Sequence, residues 1–174
     1  MLFLVEARHI AIRARAMTRI LQTLFPARAD NHFRGHQLAL LGFVLIILMQ
    51  IFRGCMHMIS PDGGAQSIAT IPLDTYSEGA RANIIAMFGQ WGFSQLLLTS
   101  LYVLVLFRYR SLIPLFYLLF VLEVSGRAAV GRFKPIVTVG RAPGEAGTVP
   151  LLVIGLVLLG LSLMPSRDKA DASE

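Results

Sequence analysis

Charge is scarce in this chain: only 15% of its 174 residues are Asp, Glu, Lys or Arg, and only ten of those are acidic. Soluble domains carry about a quarter charged residues. A domain of this length leaves roughly 30% of its chain surface facing solvent, and these residues hold too little polar material to coat it. Water is therefore the wrong solvent, and a soluble globular enzyme is excluded. Intrinsic disorder is excluded as well, because it requires low hydrophobicity, whereas 55% of this chain is hydrophobic. Cysteine is nearly absent: Cys55 stands alone, so no internal disulfide forms, and it reports nothing about the redox compartment. No Ser/His/Asp order, phosphate-binding P-loop or Gly-x-Gly-x-x-Gly run occurs. The catalytic residues are unknown on this reading, and the balance leans away from an enzyme.

What is present is hydrophobic runs separated by arginine. The net charge is +6, and fourteen of the sixteen basic residues are Arg. A pI near 10.2 fits either nucleic acid or an anionic membrane surface. The long uncharged runs, and the lack of any nucleic-acid motif, select the lipid bilayer. Eighteen uncharged residues lie between Arg34 and Arg53, twenty-six between Arg81 and Arg108, and twenty-one between Glu145 and Arg167. Crossing the hydrocarbon takes about 20 helical residues, and helices satisfy every backbone group internally. Between Arg110 and Glu123 only twelve residues are uncharged. Extension to Gly131 gives a third span containing Glu123 about 18 Å from its start, with Pro114 in its first turn. The alternative is a re-entrant segment.

The expected fold is all-α: an integral membrane bundle of four transmembrane helices at about 37–57, 80–107, 111–131 and 148–165. A basic N-terminal segment, 1–36, precedes it and a short tail, 166–174, follows. Counting Lys and Arg places ten on the side of the termini and six on the other, so both termini are expected in the cytoplasm. In the N-terminal segment Phe3, Ala7, Ile10, Ala14, Met17, Leu21 and Leu24 share one helical face, while Arg8, Arg15, Arg19 and Gln22 fall on another. That pattern fits a basic helix lying on a membrane surface; the alternative is that translation starts at Met17. Ser60-Pro61-Asp62-Gly63-Gly64 is a turn signal. Thr75-x-x-Glu78 matches a capping box, which puts the second long helix near Tyr76.

Polar groups inside lipid are costly and therefore informative. Gln50, Arg53 and His57 recur at i, i+3 and i+7. Arg81, Asn83, Gln90 and Ser94 lie toward the start of the second span, with Gln95 deeper, and Glu123 and Arg127 are one turn apart in the third. All fall in one half of the expected bundle, the outer one. Arg53, Arg81 and Arg127 could clamp an anionic or quinone-like head group, with His57 and Gln90 in support and Glu123 orienting the arginines or exchanging a proton. The competing reading is structural: Glu123 pairs with Arg127, and Arg53, Arg81 and His57 reach the interface by snorkelling. His32 and His36 have metal-ligand spacing but no third ligand, and His57 lacks an intramembrane histidine partner for haem. No metal is expected. Trp91 reads as an interfacial anchor.

The run Arg81-x7-Gly89-Gln90-Trp91-Gly92, an apolar helix, a short basic turn and Glu123-x-x-Gly126-Arg127 together resemble the DoxX-like small four-helix membrane proteins, over roughly 38–164. The branch of unknown function found in bacteria is the nearest in pattern, and Phe88-Gly89-Gln90 stands where that branch has an aromatic-Gly-Gly step. The resemblance implies a four-helix bundle in the bacterial inner membrane, no settled activity, and association with quinone-linked membrane complexes. Other membrane subunits or a second copy are the partners expected beside the lipid bilayer; the cofactor is unknown, and a quinone is the candidate the resemblance offers. Arg81-Ala82 with Asn83 is also similar to the Arg-Ala-x-Asn region of membrane-associated eicosanoid and glutathione enzymes. Those carry an acidic residue where this chain has Ile84, Ile85 and Ala86. A glutathione- or quinone-dependent enzyme and a purely structural subunit are the alternatives to a binding protein.

Overall fold

A computed structural model describes residues 2–165. Arg167 and Lys169, counted above on the side of the termini, lie outside the described residues. The described residues form helices, turns and loops and contain no strand. Helix α1 covers Leu2–Leu24, α2 Gln37–Ile59, α3 Glu78–Arg108 and α4 Ile113–Phe133. One helical turn, α5 (Pro143–Ala146), precedes α6 (Thr148–Leu163). Three stretches are long and apolar enough to cross a membrane: Gln37–Ile59, Glu78–Arg108 and Arg110–Phe133.

The segment around Glu123 is one unbroken helix, as a full crossing requires, with Pro114 in its first turn. The last helix starts at Thr148, where the fourth span was expected, and stops at Leu163, two residues short of the expected 165, which leaves 16 helical residues, or about 24 Å of rise. The start of α3 also differs from the capping-box expectation. Thr75 closes a 3-10 turn, Leu73–Thr75, and its hydroxyl donates to the Pro72 carbonyl. Ser77 is the N-cap instead, its Oγ accepting the Ala80 N–H at 3.4 Å. His36 caps α2, with Nδ1 accepting the Leu38 N–H at 3.2 Å. That role accounts for one of the two histidines with metal-ligand spacing.

The chain packs as two antiparallel pairs, α2 along α3 and α4 along α6, with further contact between α2 and α6. The α2–α3 pair is close because two glycines meet. A Cβ on Gly92 would lie 2.7 Å from the Met58 nitrogen and 2.8 Å from the Gly54 carbonyl oxygen, and one on Gly54 would meet Leu96 at 2.8 Å. Small residues are what allow such backbone approach. Near the α3–α4 turn the interior is aromatic. Phe43 stacks on Tyr102 at 5.5 Å and meets Tyr117 edge-on at 5.6 Å. The buried tyrosine hydroxyls donate to main-chain carbonyls, Tyr117 to Ala39 at 2.6 Å and Tyr102 to Phe116 at 3.2 Å. Outside this core Leu41, Leu45, Leu48 and Phe52 on α2, and Leu97, Leu101, Leu104 and Phe107 on α3, are exposed.

The segment joining α1 to α2 is fastened to this same end of the bundle. Asp30 and Ser111 exchange three hydrogen bonds of 2.9–3.1 Å. The His36 N–H donates to the Leu161 carbonyl at 3.0 Å.

The glycine contact makes a paired prediction. Gly92→Leu should destabilise the folded chain by about 1–3 kcal/mol, because the added side chain meets backbone rather than a movable side chain. Gly89→Ala, with nothing within 4 Å of the new methyl, should be neutral or slightly stabilising. Thermal melting in detergent distinguishes the two.

Candidate functional site

Three helices deliver the polar residues to one place, in the half of the bundle away from the aromatic core. On α3, Phe88, Trp91, Gln95, Thr99 and Tyr102 recur at spacings of three and four, which aligns them on the face turned to α2 and α4. On α2, Gln50, Arg53 and His57 share the face opposite. Arg53 is the link between pairs. Its Nε donates to Gln95 Oε1 at 2.8 Å, and its Nη2 donates to Glu123 Oε1 on α4 at 3.1 Å. Arg127 Nε lies 3.1 Å from that same carboxylate oxygen, but its N–H is not aimed at it, so the pairing is ionic without a hydrogen bond. One carboxylate oxygen thus serves two guanidinium groups, and the triad carries one net positive charge.

Around the triad several polar atoms are buried and make no hydrogen bond within the chain: Gln50 Oε1, Gln95 Nε2, Glu123 Oε2 and Arg127 Nε. Gln50 is only 1% exposed and Gln95 only 6%. Such orphaned groups cost about 1–3 kcal/mol each when left unpaired. They supply two donors and two acceptors from three helices within one neighbourhood.

An aromatic wall adjoins the triad. Trp91 stacks on His57 at 4.7 Å and lies with its ring 5.8 Å from the Arg53 guanidinium carbon. Phe88 meets both rings edge-on. His57 Nδ1 is 2.9 Å from the Gly63 carbonyl oxygen. A carbonyl only accepts, so Nδ1 carries the proton and donates. Gly63 has φ +62°, and a Cβ there would stand 2.8 Å from that of Phe88, so the turn that holds His57 requires glycine.

That turn is organised by Asp62. Its carboxylate accepts N–H groups from Gly64, Gln66 and Ser67 at 2.7–3.0 Å and the Ser67 hydroxyl at 3.1 Å. Partial burial pushes its pKa up, but the hydrogen bonds from Ser67, Gly64 and Gln66 outweigh this and hold it below the ordinary 3.8. At the opposite end Asp30 is likewise lowered, first by the hydrogen bond from Arg34 and then by the His32 N–H.

Of the residues singled out from the sequence, Arg53, Glu123 and Arg127 come together and His57 joins them through Trp91. Arg81 and Gln90 do not. Both are exposed. Arg81 shares the angular position of Gly92 but stands eleven residues earlier, about 16 Å along the axis, beyond the end of α2. Gln90 is two residues from Gly92 and so points about 200° away. Gln50 and Gln95 are the functional candidates that residue selection passed over, although both lie in phase with Arg53 or with Thr99. Trp91, expected as an interfacial anchor, adjoins the triad through His57 and Arg53. Among the described residues no group of three or more His, Cys, Asp or Glu could hold a metal.

Comparison of the chain with protein-family models, curated proteins and solved structures finds no match.

Two measurements follow from this geometry. Glu123→Gln leaves two guanidinium groups facing each other and should be the most destabilising change at the triad, by about 2–4 kcal/mol. Arg127→Gln, which leaves a one-to-one Arg53–Glu123 pair, should be mild, and the double change should fall between them; melting temperatures test the order. For Asp62 the folded-state pKa lies below the unfolded value, so its contribution to stability is complete above about pH 5 and is lost as pH falls through the lowered pKa. The melting-temperature gap between wild type and Asp62→Asn should therefore be widest near neutrality and narrow as pH falls through the lowered pKa.

Proposed function

We propose that this chain is a small integral membrane protein that binds a polar or anionic head group in the half of its bundle away from the termini. Four helices would cross the bilayer of a bacterial inner membrane, with both termini in the cytoplasm and the site opening outward. The ten Lys and Arg on the side of the termini, against six on the other, support this orientation by the positive-inside rule. A mean hydropathy of +0.66 and the exposed leucines of α2 and α3 support lipid as the solvent. The 16 residues of α6 are short for an average bilayer, a mismatch that local thinning absorbs. The likeness of Glu123-x-x-Gly126-Arg127 to the DoxX-like pattern supports the same architecture and makes a quinone one of the ligands to look for.

The observation that carries the binding role is the set of unpaired buried donors and acceptors beside a triad of net positive charge. A fully satisfied structural ion pair would have no such surplus. The shared chemistry of the ligand is a compact group with hydrogen-bond acceptors and either negative charge or strong polarity: a lipid phosphate, a quinone carbonyl or a small anion. Arg53 and Arg127 hold it, Glu123 fixes the two arginines, Gln50 and Gln95 orient it, and Trp91 offers a flat apolar wall. The glutathione reading rests on Arg81 and Asn83, which are both exposed and outside this cluster.

Mass spectrometry of the protein extracted in its native lipid tests the reading. The wild type should carry a polar-headed small molecule, reduced about tenfold or more in Arg127→Gln at equal fold stability, equivalent to at least about 1.4 kcal/mol of binding. Arg127→Lys should retain part of it. Identical small-molecule content in wild type and Arg127→Gln overturns the reading and leaves the triad as a structural link.

A further inference from the structure

The N-terminal helix presents a second surface. Ile10, Met17 and Leu21 on one face of α1, and Phe25 just beyond it, are each more than half exposed. Arg8, Arg15 and Arg19 project from the opposite face and are exposed as well. The helix touches α4, α6 and the Arg110–Leu112 turn, yet this contact leaves its apolar stripe uncovered. The fastening of Asp30 to Ser111 and of His36 to Leu161 fixes where α1 leaves the bundle. It departs from the end where α2 begins and α3 stops, the level of the bilayer surface on the reading above.

Charge at that end is one-sided. Arg8, Arg13, Arg15, Arg19, Arg28, Arg108 and Arg110 lie on α1, on the segment after it or at the α3–α4 turn. Arg34 is already paired with Asp30 at 2.6 Å. The remaining acid on α1 is Glu6. An apolar stripe with arginines opposite it, held at the height of a lipid surface, fits an interfacial helix. The uncompensated arginines fit one lipid class, that with anionic head groups.

We propose that α1 docks in the plane of an anionic leaflet, burying Ile10, Met17 and Leu21 among acyl chains, and that the arginines at this end make the docking depend on negatively charged lipid. The proposal rests on the reading of α2, α3, α4 and α6 as membrane-spanning.

The test uses the full chain with Cys55→Ser, inserted as single copies into nanodiscs. Met17→Cys and, separately, Leu21→Cys carry a bimane label on the apolar stripe, and Ile12→Cys carries it on the arginine face. All three positions are exposed, so the substitutions leave the fold alone. Quenching by neutral acrylamide is compared in phosphatidylcholine and in phosphatidylcholine mixed with phosphatidylglycerol. In the mixed discs the Met17 and Leu21 labels should be protected by about threefold or more, with Ile12 unchanged. The triple change Arg8→Gln, Arg15→Gln, Arg19→Gln, or high salt, should remove much of that protection. Equal quenching of the Met17 and Leu21 labels in both lipids overturns the proposal: high in both means an undocked helix, low in both means packing on protein or neutral lipid. A chain that does not co-elute with the disc overturns the membrane reading itself, an outcome distinct from an inserted bundle with a freely quenched α1.

Discussion

A single carboxylate oxygen, Glu123 Oε1, receives two arginines from two different helices, and the arrangement of the polar half depends on it. Arg53 belongs to the α2–α3 pair, and Glu123 and Arg127 belong to the α4–α6 pair. The shared oxygen is therefore an ionic tie between two units that otherwise meet through apolar contact and the two tyrosine hydrogen bonds, Tyr117 to Ala39 and Tyr102 to Phe116. It can form only because Gly54 and Gly92 let α2 and α3 approach closely enough for Arg53 to be held by Gln95 at the same time. A larger residue at either glycine would move the guanidinium away from α4 as well as from α3.

The two halves of the bundle treat buried polarity in opposite ways. Toward the basic end the tyrosine hydroxyls and Ser111 are matched with main-chain groups, so that half is a closed, rigid platform. In the other half Gln50 and Gln95 keep amide atoms unmatched, and Glu123 keeps an oxygen unmatched. Natural interiors satisfy nearly all such groups, and the exceptions concentrate where a protein meets something else. The contrast within one small bundle is sharper than any single unpaired atom, since the same chain satisfies its buried polar groups at the other end.

Much of this was legible in the sequence. Uncharged runs bounded by arginine located the long helices, because a charged side chain is costly to bury and so marks where an apolar run ends. The i, i+3, i+7 spacing of Gln50, Arg53 and His57 placed them on one face, and the i, i+4 spacing joined Glu123 to Arg127. The 200° between Gln90 and Gly92 could be read from their spacing, whereas Arg81 was grouped with the triad because periodicity gives the angle between residues of one helix and not the point at which its partner stops. That point is set by Gly54 and Gly92 and by where α2 ends, at Ile59. The cap at Ser77 rather than Thr75 was illegible for a related reason: the 3-10 turn at Leu73–Thr75 competes for the same residues. The clasp between His57 and Gly63 depends on a backbone conformation that composition alone does not reveal.

The order of synthesis gives the Arg53–Gln95 bond a further meaning. Arg53 emerges from the ribosome seventy residues ahead of Glu123 but only forty-two ahead of Gln95. A nascent α2–α3 hairpin can therefore shelter the guanidinium with a neutral amide while its counter-ion has yet to be made. Glu123 then arrives already accompanied by Arg127 on its own helix, so the carboxylate is never without a counter-ion. Gln95 is in this sense a placeholder, one that lets an early folding unit close before the ion it awaits exists.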